Sequence, residues 1–123
     1  MGSHPINLAL RFFLELAALC AMGVWGFAHG TGVMRYIFAI ALPLIAVALW
    51  GTFAVPNDPS RKGSAPVPVA GVVRLLLELV FFAFAVWTLF DSTRTATALA
   101  FGAAVLIHYA ASYDRVAWLL RTG

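Results

Sequence analysis

Four apolar runs, each close to the ~20 residues that a helix needs to cross about 30 Å of hydrocarbon, constrain this chain more than anything else in it. They cover about 7–27, 33–53, 70–90 and 95–113. Water offers such a chain no way to cover itself. Hydrophobic residues make up 63% of it and charged ones 11%, against about 25% charged in an ordinary soluble domain. Lipid removes the difficulty and imposes its own rule. Backbone groups in hydrocarbon must pair within the chain, so long continuous apolar runs are helices.

The connections set the order. Ala28-His29-Gly30-Thr31-Gly32 and Asp91-Ser92-Thr93-Arg94 are tight turns, with Asp91, Ser92 or Thr93 expected to cap the fourth helix. Between the second and third runs lies a polar linker, 55–69, with Pro56, Pro59, Pro66 and Pro68. Proline at that density favours an extended segment over a helix. An amphipathic end, Asp114 to Leu120, follows the fourth run. The expected fold is all-α: an integral membrane four-helix up-down-up-down bundle in a single transmembrane domain over 1–123.

Basic residues orient it. Arg11, Arg61, Lys62, Arg74, Arg115 and Arg121 fall on the side of the linker and both termini, and only Arg35 and Arg94 on the side of the turns. Both termini are therefore expected in the cytoplasm. Trp25 and Trp87 mark the outer ends, and Trp50 and Trp118 the inner ones. No cleavable signal peptide is recognisable, since the first run is too long and lacks a small-residue cleavage site. Met1-Gly2-Ser3-His4 carries no weight in this reading.

The first and third runs repeat one another. Arg11-Phe12-Phe13-Leu14-Glu15-Leu16 aligns with Arg74-Leu75-Leu76-Leu77-Glu78-Leu79, and each run later reaches a Val-Trp pair. Two parallel helical hairpins joined by the linker would produce this pattern. In each copy Arg and Glu stand four apart, on one helix face. Each Glu lies about 12 Å from the cytoplasmic edge at 1.5 Å per residue, where a carboxylate must be paired, protonated or wet. His108, roughly 8 Å deep in the fourth run, occupies nearly the same layer.

Arg11, Glu15, Arg74, Glu78 and His108 thus form the candidate polar intramembrane site. It supports two readings. In one, Arg11–Glu15 and Arg74–Glu78 are ion pairs that lock helix orientation, with His108 hydrogen-bonded to one of them. In the other, burial makes the glutamates responsive to protons or a cation, as in a minimal transporter or channel.

Other chemistries find little to stand on. A net charge of +3 and a pI near 9.6 come without a basic stripe, so nucleic acid is not an expected partner. One intramembrane His, two distant Glu and Cys20 make no metal-ligand spacing, and His108 alone is a poor basis for a heme axial ligand. No catalytic triad, phosphate loop or metalloprotease motif is present. Neither a cofactor nor an enzymatic activity is expected. The partners expected are the lipid bilayer and a homodimer or larger membrane protein. Cys20, unable to pair within the chain, reads as a small buried hydrophobe. Pro43 should kink the second helix, and Ala96, Ala100, Gly102 and Ala104 should give the fourth a small-residue surface for close contact, within the bundle or in a dimer.

The opening Asn7-Leu8-Ala9-Leu10-Arg11-Phe12-Phe13-Leu14-Glu15-Leu16 resembles that of the YrdB family of small bacterial membrane proteins. The likeness extends through Trp25-Gly26, Pro43, Trp50-Gly51, Ala54-Val55-Pro56 and Leu77-Glu78-Leu79. It implies a four-helix protein of the bacterial inner membrane and supplies no activity. Family members commonly carry Pro-Lys at the linker start and Asn in the last span; here Asn57 follows Pro56, and His108 stands near the Asn position.

Overall fold

The computed structural model describes residues 5–56, 58 and 65–122. Asn57, Pro59, Arg61 and Lys62, on which parts of the linker and orientation arguments rest, lie outside the described residues. The rest is helical apart from one short β-pair: α1 (Pro5–His29), α2 (Val33–Thr52), α3 (Gly71–Asp91), α4 (Thr95–Ala111) and α5 (Tyr113–Arg121). Three of these helices are long and apolar enough to cross a membrane, or four if α4 and α5 count as one bent span.

Helix faces follow the 3.6-residue period. On α1 the buried stripe is Asn7, Arg11, Leu14, Ala18, Ala21 and Met22. On α3 it is Gly71, Arg74, Glu78, Phe82, Ala85 and Leu89. Both stripes carry their charged residues at the end near the linker and are apolar beyond, apart from Thr88, whose buried hydroxyl donates to the Ala85 carbonyl, so one core has two chemical layers. The apolar layer joins Leu14, Ala18, Met22, Phe82, Ala85, Phe101 and Val105.

α1 packs along α2, α3 and α4, while α3 also meets α4 and α5. Contact with α2 is close where α1 offers glycine: a Cβ on Gly26 would come within 2.7 Å of the Phe38 carbonyl oxygen. Even so α2 buries none of its residues fully, and it runs as one helix through Pro43. The expected small-residue surface of α4 is rotated. Ala98 is buried, whereas Ala96 and Ala100 are exposed. Cys20, expected to be buried, is exposed as well, because it falls between the buried positions Ala18 and Ala21.

The fourth apolar run stops at Ala111, and α5 leaves at a 69° bend. No side chain caps α4, whose N-cap is Arg94; Thr93 just before it takes φ 59°. Arg115 and Leu119 of α5 turn inward, and the Gly71 amide donates to the Thr122 carbonyl at 2.9 Å. Gly71 is required there: any Cβ would overlap the carbonyl of Leu119. Phe53–Ala54 pairs in parallel with Val67–Pro68, tying together the two ends of the linker.

Candidate polar site

Glu78 is the centre of the polar layer, with a side chain 0% exposed. Its carboxylate takes contacts from four side chains on four different helices. Arg74, one turn earlier on α3, donates from Nε to Oε2 at 2.8 Å. From α1, Arg11 donates from Nη1 to Oε1 at 3.3 Å and sets Nη2 3.1 Å from Oε2. Arg115 of α5 straddles the group, Nη1 to Oε1 at 2.8 Å and Nη2 to Oε2 at 2.7 Å. The Tyr109 hydroxyl of α4 donates to Oε1 at 2.7 Å. A carboxylate has about four lone-pair directions. Glu78 has none to spare.

The arginines are themselves shared. Arg115 also forks onto Asp58 of the linker, Nε to Oδ1 at 2.9 Å and Nη2 to Oδ2 at 2.6 Å. Arg74 donates from Nη1 to the carbonyls of Trp50 and Phe53, satisfying the C-terminal end of α2. The guanidinium carbons of Arg11 and Arg74 lie 4.9 and 4.5 Å from the Trp50 ring centroid, within cation–π range. Glu15 completes the set, its Oε1 3.2 Å from Arg11 Nε with the side chain 23% exposed. Three arginines face three carboxylates, so the layer is neutral as a whole, the cheapest state for charge out of water.

Four of the five candidates from the sequence therefore meet here. His108 is differently engaged. It is 1% exposed, but its Nδ1 sits 3.1 Å from Asn7 Oδ1 and touches neither glutamate. Asn7 Nδ2 donates onward to Ser112 Oγ at 2.6 Å, which identifies Oδ1 as the acceptor and puts the imidazole proton on Nδ1. Nε2 is then a bare lone pair, buried without a partner among the described residues. The chain of three ties the first turn of α1 to the residue at the α4–α5 bend.

Sequence reasoning missed Arg115, Asp58, Asn7 and Tyr109 as members. One signal was present: Arg115 and Leu119 stand four apart on the amphipathic end, so they share one face, and that face is the buried one. Nothing local marks Asp58.

A second polar contact closes the opposite end. Trp25 Nε1 donates to Asp91 Oδ2 at 2.7 Å, and His29 Nε2 lies 3.1 Å from the same oxygen. The other His29 nitrogen, Nδ1, is 2.9 Å from the Trp25 carbonyl oxygen. Both partners are acceptors only, so both bonds form together only when His29 is an imidazolium. Trp25 also meets Trp87 edge-on, ring centroids 5.3 Å apart.

With this geometry in hand, the comparisons with known proteins are narrow and consistent. The family model described as a protein of unknown function, DUF2568, matches residues 9–107. The chain belongs to that family. The DUF2568 chain is 41% identical, over 95% of its own length and 95% of the relative's, to the uncharacterized protein YrdB of Bacillus subtilis (strain 168), as the opening motif implied. No solved structure matches it. The matched region of this DUF2568 protein contains α2, α3 and most of α1 and α4, including Arg11, Glu15, Arg74 and Glu78, while α5 with Arg115 lies beyond it.

Proposed function

We propose that this protein is a small four-helix bacterial inner (plasma) membrane protein with a structural or accessory role, binding lipid or a membrane partner. It is built as an up-down-up-down bundle of two parallel hairpins, with both termini cytoplasmic and its polar layer serving as a lock. One observation carries the lock: Glu78, fully buried, is held by arginines from α1, α3 and α5 at once. Moving any of those helices separates charge in a low-dielectric setting, where removing one partner of a buried pair costs about 3–5 kcal/mol. A carboxylate so encumbered is a poor carrier of protons. The basic residues of the linker side support the orientation, and a homodimer or larger membrane protein remains the natural partner for so small a bundle.

A proton- or cation-coupled transporter is the second reading, favoured by Glu15 alone, which is partly exposed and bonded through a single arginine. Infrared difference spectroscopy of the protein in lipid, titrated from pH 4 to 8 with Glu15→Gln and Glu78→Gln to assign the bands, separates the two. The lock requires that Glu78 show no protonation band across that range. A Glu78 band titrating near neutrality would sink the lock; a Glu15 band there, with Glu78 silent, would move the exchangeable site to Glu15.

A further inference from the structure

Between α1 and α4, at the end where Trp25 meets Asp91, lies a groove of about 280 Å³. Its apolar walls come from Ala21 and Val24 of α1 and from Leu89 and Phe101. Its polar lining is Ser92, Arg94 and Thr97, residues that run from the C-cap of α3 to the first turn of α4. Three independent features of that end ask for an anion. Arg94 is exposed and its side chain forms no ion pair among the described residues. The first amides of α4 receive no side-chain cap, leaving unpaired donors at the positive end of the helix. Two hydroxyls, Ser92 and Thr97, stand beside them.

We infer that this groove binds one anionic phospholipid of the outer leaflet, its phosphate at Arg94 and the first turn of α4, its acyl chain along Val24 and Phe101. The inference rests on the membrane placement proposed above. An apolar wall alone would accept any lipid tail. The unpaired cation is what selects the headgroup, because a zwitterionic lipid carries its own counter-charge to the same place. Cys20 also lines the groove and is the only cysteine in the chain, so its reactivity reports occupancy without any engineering.

The test uses the full chain in dodecylmaltoside and follows alkylation of Cys20 by N-ethylmaleimide. Dioleoyl phosphatidylglycerol should slow it about fivefold more than dioleoyl phosphatidylcholine, the effect of one basic residue at an anionic headgroup. Arg94→Gln should erase that difference and Arg94→Lys should keep most of it. Native mass spectrometry of the same samples should show retained phosphatidylglycerol lost only in Arg94→Gln. Equal slowing by the two lipids, a difference that survives Arg94→Gln, or the same protection from inorganic phosphate alone would each overturn the proposal. Extraction of the protein from membranes by alkaline carbonate would instead defeat the membrane placement itself. Carbonate resistance without headgroup preference defeats only the lipid site.

Discussion

Glu15 and Glu78 each stand four residues after an arginine in an Arg-x-x-Leu-Glu-Leu stretch, yet they end in opposite environments. Glu78 is sealed under three arginines and a tyrosine; Glu15 keeps 23% of its side chain exposed and one arginine. The difference is a small rotation. α1 buries Arg11 and Leu14 and leaves Glu15 beside the stripe, whereas α3 buries Arg74 and Glu78 and leaves Leu77 beside it. Adjacent residues lie about 100° apart around a helix, so choosing Leu or Glu as the inward position decides which carboxylate receives the arginines. Identical spacing thus supplies two carboxylates with different duties. Arg11, on the helix whose glutamate turned away, reaches across to Glu78.

The strongest way to break this comparison is Glu78→Gln. It leaves three guanidiniums facing each other around a neutral amide, and a loss of about 3–5 kcal/mol is expected, read from denaturation in mixed micelles followed by tryptophan fluorescence. Arg115→Ala comes next, at about 2–3 kcal/mol, since it strips charged hydrogen bonds from both Glu78 and Asp58. Arg115→Lys should restore only part, because an ammonium cannot fork onto two carboxylates. Glu15→Gln should cost under about 1 kcal/mol, as partly exposed pairs with a single arginine do. Losses of equal size at the two glutamates would refute the asymmetry.

The smallest effect sharpens the contrast from the far end. Trp25 and His29 share one oxygen of the partly exposed Asp91 carboxylate, so Asp91→Asn should shift the tryptophan emission while costing less stability than Glu15→Gln.

Much of this was legible in the residues, and the pattern of what was not is physical. α1, α2 and α3 follow from apolar length, within two residues at each end, because the apolar run itself, rather than any contact, marks where each helix begins and ends. The Arg–Glu pairs follow from i,i+4 spacing. What periodicity cannot supply is rotation: Cys20 was expected to be buried and is exposed, and Ala96 and Ala100, expected to serve internal packing or a dimer, face out of the bundle, since an almost uniformly apolar helix shows no preferred side. The bend at Ser112 also escaped, as the apolar run gives no break there. With it went the identity of the third arginine, because Arg115 enters the layer only when α5 folds back by 69°. His108 was expected against a glutamate and instead bonds Asn7, a residue too near the chain start to read as part of the layer.

Arg115 is also the last member of the charged layer to leave the ribosome. Chains emerge from their N-terminus, so Arg11, Glu15, Asp58, Arg74 and Glu78 are all made before it, two cations against three anions. During that interval the nascent protein carries an uncompensated negative charge in its polar layer, and α5 brings the residue that cancels it. Assembly is therefore timed by α5: a chain stalled just before Arg115 would hold every apolar run and still be electrically unfinished.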